Sequence, residues 1–194
     1  MSLIRIQEPA VEPISLDEAK VHLRVDPDMA EDDALIRGLI ATARRNCETQ
    51  TGRSLVTQRW RLLFDAFPAA VVFERGPIQS VDTLNWLDMG GVAHTITNPG
   101  GPDYALSLGG PMPRMTPGFG RIWPIPLPQI GSVWIDYTAG YGPQASAVPE
   151  SLRSWMLLRL ATLYNNREEV ATGISVTPMP YVDSLLDDER VWLA

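Results

Sequence analysis

Apolar positions recur along this chain with two different periods, and the period changes twice. Leu16, Ala19 and Leu23, with Val21 beside them, predict a short helix over about 16–24. Ser15 stands three residues before Glu18, the spacing of a capping box, and Pro27 marks the end of the element. Leu35, Ile36, Leu39, Ile40, Ala43 and Cys47 then repeat at three and four residues and predict a long helix over 31–51. Glu31, Asp32 and Asp33 suit the positive end of its dipole, and Gly52 is a natural stop.

From Val56 the period becomes two. Val56, Gln58, Trp60, Leu62 and Phe64 alternate with Thr57, Arg59, Arg61 and Leu63, which predicts a strand. Further strands are predicted at AVVFE, at IQSVDTLNWLD turning through Gly90-Gly91 into VAHTI, and at DYALS, GRIWP and SVWIDYTA. Residues 97–131 hold much of the proline and predict long, poorly regular loops. The helical period returns after Pro149, expected at the first helical position, with Leu152, Trp155, Met156, Leu160 and Leu163 on one stripe over 149–165.

The order predicts an α+β fold in a single domain of 1–194. Its small helical bundle (13–53 and 148–168) is interrupted by an antiparallel β insertion near 54–141, with 54–142 as its outer limits. The C-terminal tail is 169–194.

Composition narrows the chemistry more than the fold. A chain of 194 residues with 45% hydrophobic and 20% charged residues needs no metal or disulfide to fold. Its formal net charge of −7 argues against tight sequence-independent DNA binding. The lone Cys47 allows no internal disulfide. No apolar run reaches membrane-spanning length and the N-terminus does not read as a signal peptide, so synthesis in the cytoplasm and no membrane partner are expected. Thr138–Gly142, TAGYG, differs at one position from the TVGYG loop of potassium filters, but a filter needs flanking membrane helices. A phosphate cradle would need its glycines to run straight into a helix, and Gln144–Val148 intervene. The glycines therefore read as an exit from the last strand.

The candidate sites each have a plainer role. Asp26, Asp28 and Asp32 lack the glycine and the bidentate glutamate of a calcium loop. His22, His94 and Cys47 have no metal-ligand spacing. No G-x-S-x-G elbow is present. Asp82, Asp88 and Asp136 are the nearest acids for a carbohydrate-acting hydrolase, the alternative function, and read more simply as strand-end and turn residues. No catalytic, cofactor-binding or metal residues are assigned. Of six tryptophans, Trp60, Trp134 and Trp155 fall on apolar faces, whereas Trp192 lies in a tail with no partner face of its own.

ISLDEAKVHLRVD, EDDALIRGLIATARRNCETQTGRSLVTQRW, GPIQSVDTLNWLD, GRIWP, VWIDYTAGYG and VPESLRSWMLLRLATLYNNRE occur in an order that resembles a family of phage head–tail connector (adaptor) proteins. These are the phiE125 gp8-like connectors, related to the gp6-like connectors of long-tailed phages. The likeness runs from Pro13 to about Glu168 and is most specific at Thr51–Trp60 and Tyr137–Leu152. It implies a non-enzymatic structural subunit of a phage, prophage or gene transfer agent neck. Copies would form a twelvefold ring below the portal, extend the channel through which double-stranded DNA passes, and join capsid to tail. Another neck or tail completion protein is a further alternative. The implied partners are other copies, the portal and a downstream neck, stopper or tail protein. Candidate portal contacts are Tyr181, Leu185, Leu186, Val191, Trp192 and Leu193; candidate subunit contacts are Arg37, Arg44 and Arg45.

Overall fold

A computed structural model describes residues 1–110, 112–166 and 180–191, with Pro180 and Tyr181 described in backbone only. The elements in chain order are β1 (Ser2–Gln7), α1 (Leu16–Leu23), α2 (Asp33–Thr51), β2 (Gln58–Phe64), β3 (Val71–Val72), β4 (Ile78–Leu87), β5 (Ala93–Thr97), β6 (Tyr104–Ser107), β7 (Arg114–Pro117), β8 (Val133–Ala139), α3 (Glu150–Asn165) and α4 (Pro180–Asp183), with a 3-10 turn at Ser184–Leu186. The expected α+β class is the class observed. The chain forms two compact units, Met1–Ala10 with Thr57–Tyr141, and Val11–Val56 with Gly142–Ala194.

The β unit holds two antiparallel sheets, one ordered β1-β2-β8-β4-β5 and one ordered β3-β7-β6. Alternation along β2 sends Trp60, Leu62 and Phe64 to one face, where they meet Val133, Ile135, Tyr137 and Ala139 of β8 and Leu84 of β4. Val71, Phe73, Tyr104 and Met115, from and beside the smaller sheet, complete this core. Phe73 meets Tyr137 edge-on at 5.2 Å, and the Tyr137 hydroxyl donates to the Glu74 carbonyl at 2.8 Å. Each such large side chain contributes about 1.5–3 kcal/mol by leaving water.

Two strands depart from the sequence expectation. Ser2–Gln7 is a strand the pattern did not indicate, because its inward residues are Leu3 and Arg5. Arg5 earns an inward place by laying its guanidinium over Trp60, 4.7 Å from the ring centre. GRIWP is not a strand; Arg121–Pro128 runs without regular structure, and the short β7 lies earlier. Pro124, Pro126 and Pro128 remove the donors that a ladder through this stretch would need.

In the helical unit, the Ser15 hydroxyl accepts from the Glu18 amide at 3.1 Å. The other half of the predicted box is replaced: the Glu18 carboxylate takes Arg153 Nη2 at 2.7 Å. The single lysine holds the turn before α2. Lys20 Nζ donates to the carbonyls of Pro27 (3.0 Å) and Met29 (2.8 Å) and pairs with Asp33 at 2.6 Å. Ile36, Ile40, Ala43, Cys47 and Thr51 form the buried stripe of α2, and Leu152, Trp155, Met156 and Leu160 that of α3. Gly52 caps α2 at φ 71°, a conformation that costs glycine little. Pro149 is the N-cap of α3 and not its first residue, with an extended ψ of 138°. Trp134 also departs from expectation: it is partly exposed on the polar side of β8.

Candidate functional site

Among the described residues, four surfaces carry the features that bear on function. The first is the outer face of the five-stranded sheet. The register sets Arg61 opposite Asp136, and the two form a bidentate pair at 2.6 and 2.8 Å. Asp82 accepts from Arg59 (3.1 Å), Ser80 (2.7 Å) and Thr138 (2.9 Å). Asn85 bridges Thr83, Thr95 and the Trp134 carbonyl. These groups satisfy one another across strands and present a braced polar surface.

That bracing bears on the hydrolase alternative. A glycosidase needs one carboxyl kept protonated near a second, ionised one. Asp136 and Asp82 are instead ion-paired with arginines. Asp88 shapes the β4–β5 hairpin: it accepts from Gly90 and Val92 amides and meets His94 Nε2 at 2.8 Å. The His94 hydrogen bond, then the hairpin amides, hold its pKa below the usual 3.8. Each acid is occupied in bracing the fold. His22 is exposed, His94 stacks on Trp86 at 5.1 Å, and Cys47 is buried, its thiol pushed up to about 12 by burial and by Glu48. Among the described residues no cluster of His, Cys, Asp and Glu could hold a metal ion, and no helix is long and apolar enough to cross a membrane.

The second surface is α2. Arg37 is exposed and sits 3.7 Å from Asp33, one turn earlier. Arg45 is exposed on the same helix. Arg44 lies inward at 3% exposure, with Nε on Glu12 at 2.8 Å and Nη1 on the buried Glu48 at 3.3 Å. Glu48 in turn accepts from the Leu55 amide at 3.2 Å. Arg44 therefore fastens the segment before α1 and the turn after α2.

The third is the end of the chain. Leu186 is fully buried, and the Trp155 indole donates to Asp183 at 3.1 Å. The Val191 amide donates to the Thr51 carbonyl at 2.8 Å, while Arg53 and Arg190 bond the carbonyls of Glu189 and Gln50. Leu185 and Val191 are half-buried. The stretch 182–191 is thus sewn to the C-terminal end of α2 and to α3. Trp192 and Leu193 lie outside the described residues, as does the Tyr181 side chain.

The fourth surface was not anticipated. Between β7 and β8, Phe119 (106% exposed), Ile122 (84%), Ile125 (74%) and Ile130 (87%) project from one loop. The loop is anchored between these residues. Trp123 stacks on Phe67 at 4.8 Å and lies 5.7 Å from Tyr104. The Leu127 amide donates to the Leu87 carbonyl at 2.8 Å, and the Gly131 amide to Asp65 at 2.8 Å. At its root, a Cβ on Gly118 would stand 2.0 Å from the Pro102 carbonyl oxygen, so only glycine fits. Ile125 and Leu127 alternating with three prolines was the available signal: such residues cannot all turn into a ladder, so some face water.

Residues 13–84 match the family described as phage gp6-like head-tail connector proteins. No curated protein matches the chain. Among solved structures, a chain from the neck of an empty gene transfer agent particle, computed with sixfold symmetry, superposes with a TM-score of 0.82 at 25% identity over 100% of this chain and 97% of that one. A chain from the virion of a native gene transfer agent particle gives 0.81 at 25% identity with the same coverage. A chain from a native gene transfer agent neck computed with twelvefold symmetry gives 0.75 at 24% identity, again over 100% and 97%, a likeness of fold. The resemblance read from the sequence motifs is borne out.

Proposed function

We infer that this chain is a structural head–tail connector subunit, one copy in a ring that joins a capsid to a tail and continues the DNA channel. The observation that carries this is full-length superposition on a neck chain at a TM-score of 0.82, joined to the connector-family match over 13–84. The role is mechanical, without turnover. We take the ring to hold twelve copies bound to a portal above and to a neck, stopper or tail protein below.

The chemistry of the surfaces suits that role. Net charge of −7 disfavours counterion-releasing contact with DNA sliding past. Exposed Arg37 and Arg45 on α2 are proposed to meet neighbouring copies, with Arg44 holding the helix from within. For the portal, Leu186 is proposed as the anchor of the chain end and Tyr181, Leu185, Val191, Trp192 and Leu193 as its contacts. Residence in the neck of a virion or virus-like particle follows from the same reading.

Co-expression with a portal protein from the same source tests the proposal. The expected result is a portal complex that carries a ring of this chain at one end, seen by electron microscopy. A chain that stays unbound to the portal, and is absent from the neck of purified particles, would overturn it.

A further inference from the structure

We propose that His94 is a proton-operated clasp on the β4–β5 hairpin: its charged ring grips the Asp88 carboxylate and fixes the shape of the tip, and its neutral ring lets the tip loosen. The clasp goes beyond the connector reading and stands without it.

The tip is built around one carboxylate. Asp88 Oδ1 accepts the amides of Gly90 at 2.8 Å and Val92 at 3.0 Å, and Asp88 Oδ2 meets His94 Nε2 at 2.8 Å. The main chain closes the same turn: the Asp88 amide donates to the Val92 carbonyl and the Gly91 amide to the Asp88 carbonyl, each at 2.9 Å. The wrap is close, since a Cβ on Gly90 would stand 3.2 Å from Asp88 Oδ1. Whatever orients this carboxylate therefore orients the donors of the tip, and His94 holds its second oxygen.

The His94 ring has a defined seat. The register sets it opposite Trp86, and the two rings stack at 5.1 Å and 15°. Phe67 backs Trp86 at 6.5 Å and itself stacks on Trp123 at 4.8 Å. The imidazole thus has an indole face beside it and a carboxylate at Nε2. A cation over an indole is attracted by the π-face. A charged N–H on a carboxylate makes a hydrogen bond about twice as strong as a neutral one. The neutral ring keeps the contact only in the tautomer with its proton on Nε2, and without charge assistance.

Within the hairpin, His94 is the group that changes state near neutrality. An imidazole takes up its proton between about pH 8 and pH 5. Asp88 does not change there. The hydrogen bond with His94, then the tip amides, hold its pKa below 3.8. The stability its charge contributes is therefore present above 3.8 and is lost only as pH falls through the lowered value. The elements packed here add no competing charge. From β4 the neighbours are Trp86 and Asp88; beyond Trp86 lie Val133 of β8 and Phe67. Arg121 and Asp103, which line a cavity with Ile96, pair with each other at 3.2 Å. Among the described residues, Asp88 and His94 form an ion pair only with each other.

The clasp controls what the tip presents. Met89 and Val92 stand there 63% and 58% exposed. With His94 charged they project from a set backbone; with it neutral they sample more positions. Both clasp groups are partly exposed, so the effect is a few-fold and not all-or-none.

Nuclear magnetic resonance on the full-length chain tests this. H22Q leaves His94 as the single histidine, so the imidazole signal reports its protonation alone. In the same samples, solvent exchange of the Gly90 and Val92 amides, corrected for the intrinsic pH dependence of exchange, reports the tip. The expected result is about two- to fivefold more protection at about pH 5.5 than at about pH 8, following the His94 signal. H22Q/H94Q should lose this dependence, since glutamine keeps a hydrogen bond and takes no proton. H22Q/D88N should lose it too, since asparagine keeps an acceptor for the tip and carries no charge. Unchanged amide signals in β2 and β8 show that each variant is folded. Equal protection at the two pH values while His94 titrates overturns the clasp, as does the same dependence in H22Q/H94Q. A His94 signal that stays constant across that range overturns it as well.

Discussion

Residues 182–191 and residues 118–131 are both short, partly apolar and largely irregular, yet they meet opposite environments. In the first, Leu186 is fully buried, and backbone bonds at Glu189 and Val191 tie the stretch to the end of α2. In the second, four large apolar side chains stand in water while Trp123 and Leu127 hold the backbone down. The difference lies in backbone chemistry. Donors at Val191 and acceptors at Glu189 let one segment join a helix end, whereas alternate prolines deprive the other of ladder donors. Apolar content alone does not decide what becomes core.

The contrast can be broken most forcefully from the buried side. Leu186→Ala should lose about 2–5 kcal/mol by urea unfolding, because its site is enclosed; a loss under half a kilocalorie would mean the segment is not sewn in. Next comes the root of the loop. Gly118→Ala puts a methyl 2.0 Å from the Pro102 carbonyl, so the backbone must shift, at about 1–3 kcal/mol and with a changed tryptophan emission.

Cys47 gives a third comparison. Its thiol, raised to about 12 in the fold, ionises nearer 9.0 once unfolded. The unfolded chain thus gives up a proton first, and stability contributed by the neutral thiol declines as pH climbs from 9 toward 12, by at most about 1.4 kcal/mol per unit. Ellman's reagent at pH 8 should react with Cys47 slowly in the parent and faster in Leu186→Ala. The smallest effect is expected at the exposed side: I122S/I125S should shift stability by less than about 0.5 kcal/mol and leave the Cys47 rate unchanged.

Much of the fold was legible because its periods are clean. α2 reads at three and four residues from Leu35 to Cys47, and β2 alternates without a break. β1 was hidden because one of its inward side chains is an arginine, whose place is justified by a tryptophan 55 residues later. GRIWP looked like a strand because Ile122 and Trp123 favour strands, but Trp123 is used as an anchor in a stack. The surfaces were less legible. Charge marked Arg37, Arg44 and Arg45 alike, although Glu12 and Glu48 draw Arg44 inside. Those carboxylates sit 32 residues before and four residues after Arg44, and spacing along the chain reveals only the nearer one.

Lys20 is the chain's sole lysine, and its ammonium is tied to Pro27, Met29 and Asp33. An endopeptidase that cleaves after lysine therefore has one scissile bond among 194 residues, and reaches it when α1 comes undone. Digestion yields two fragments in a single hit, and the rate at which they accumulate clocks the opening of one helix.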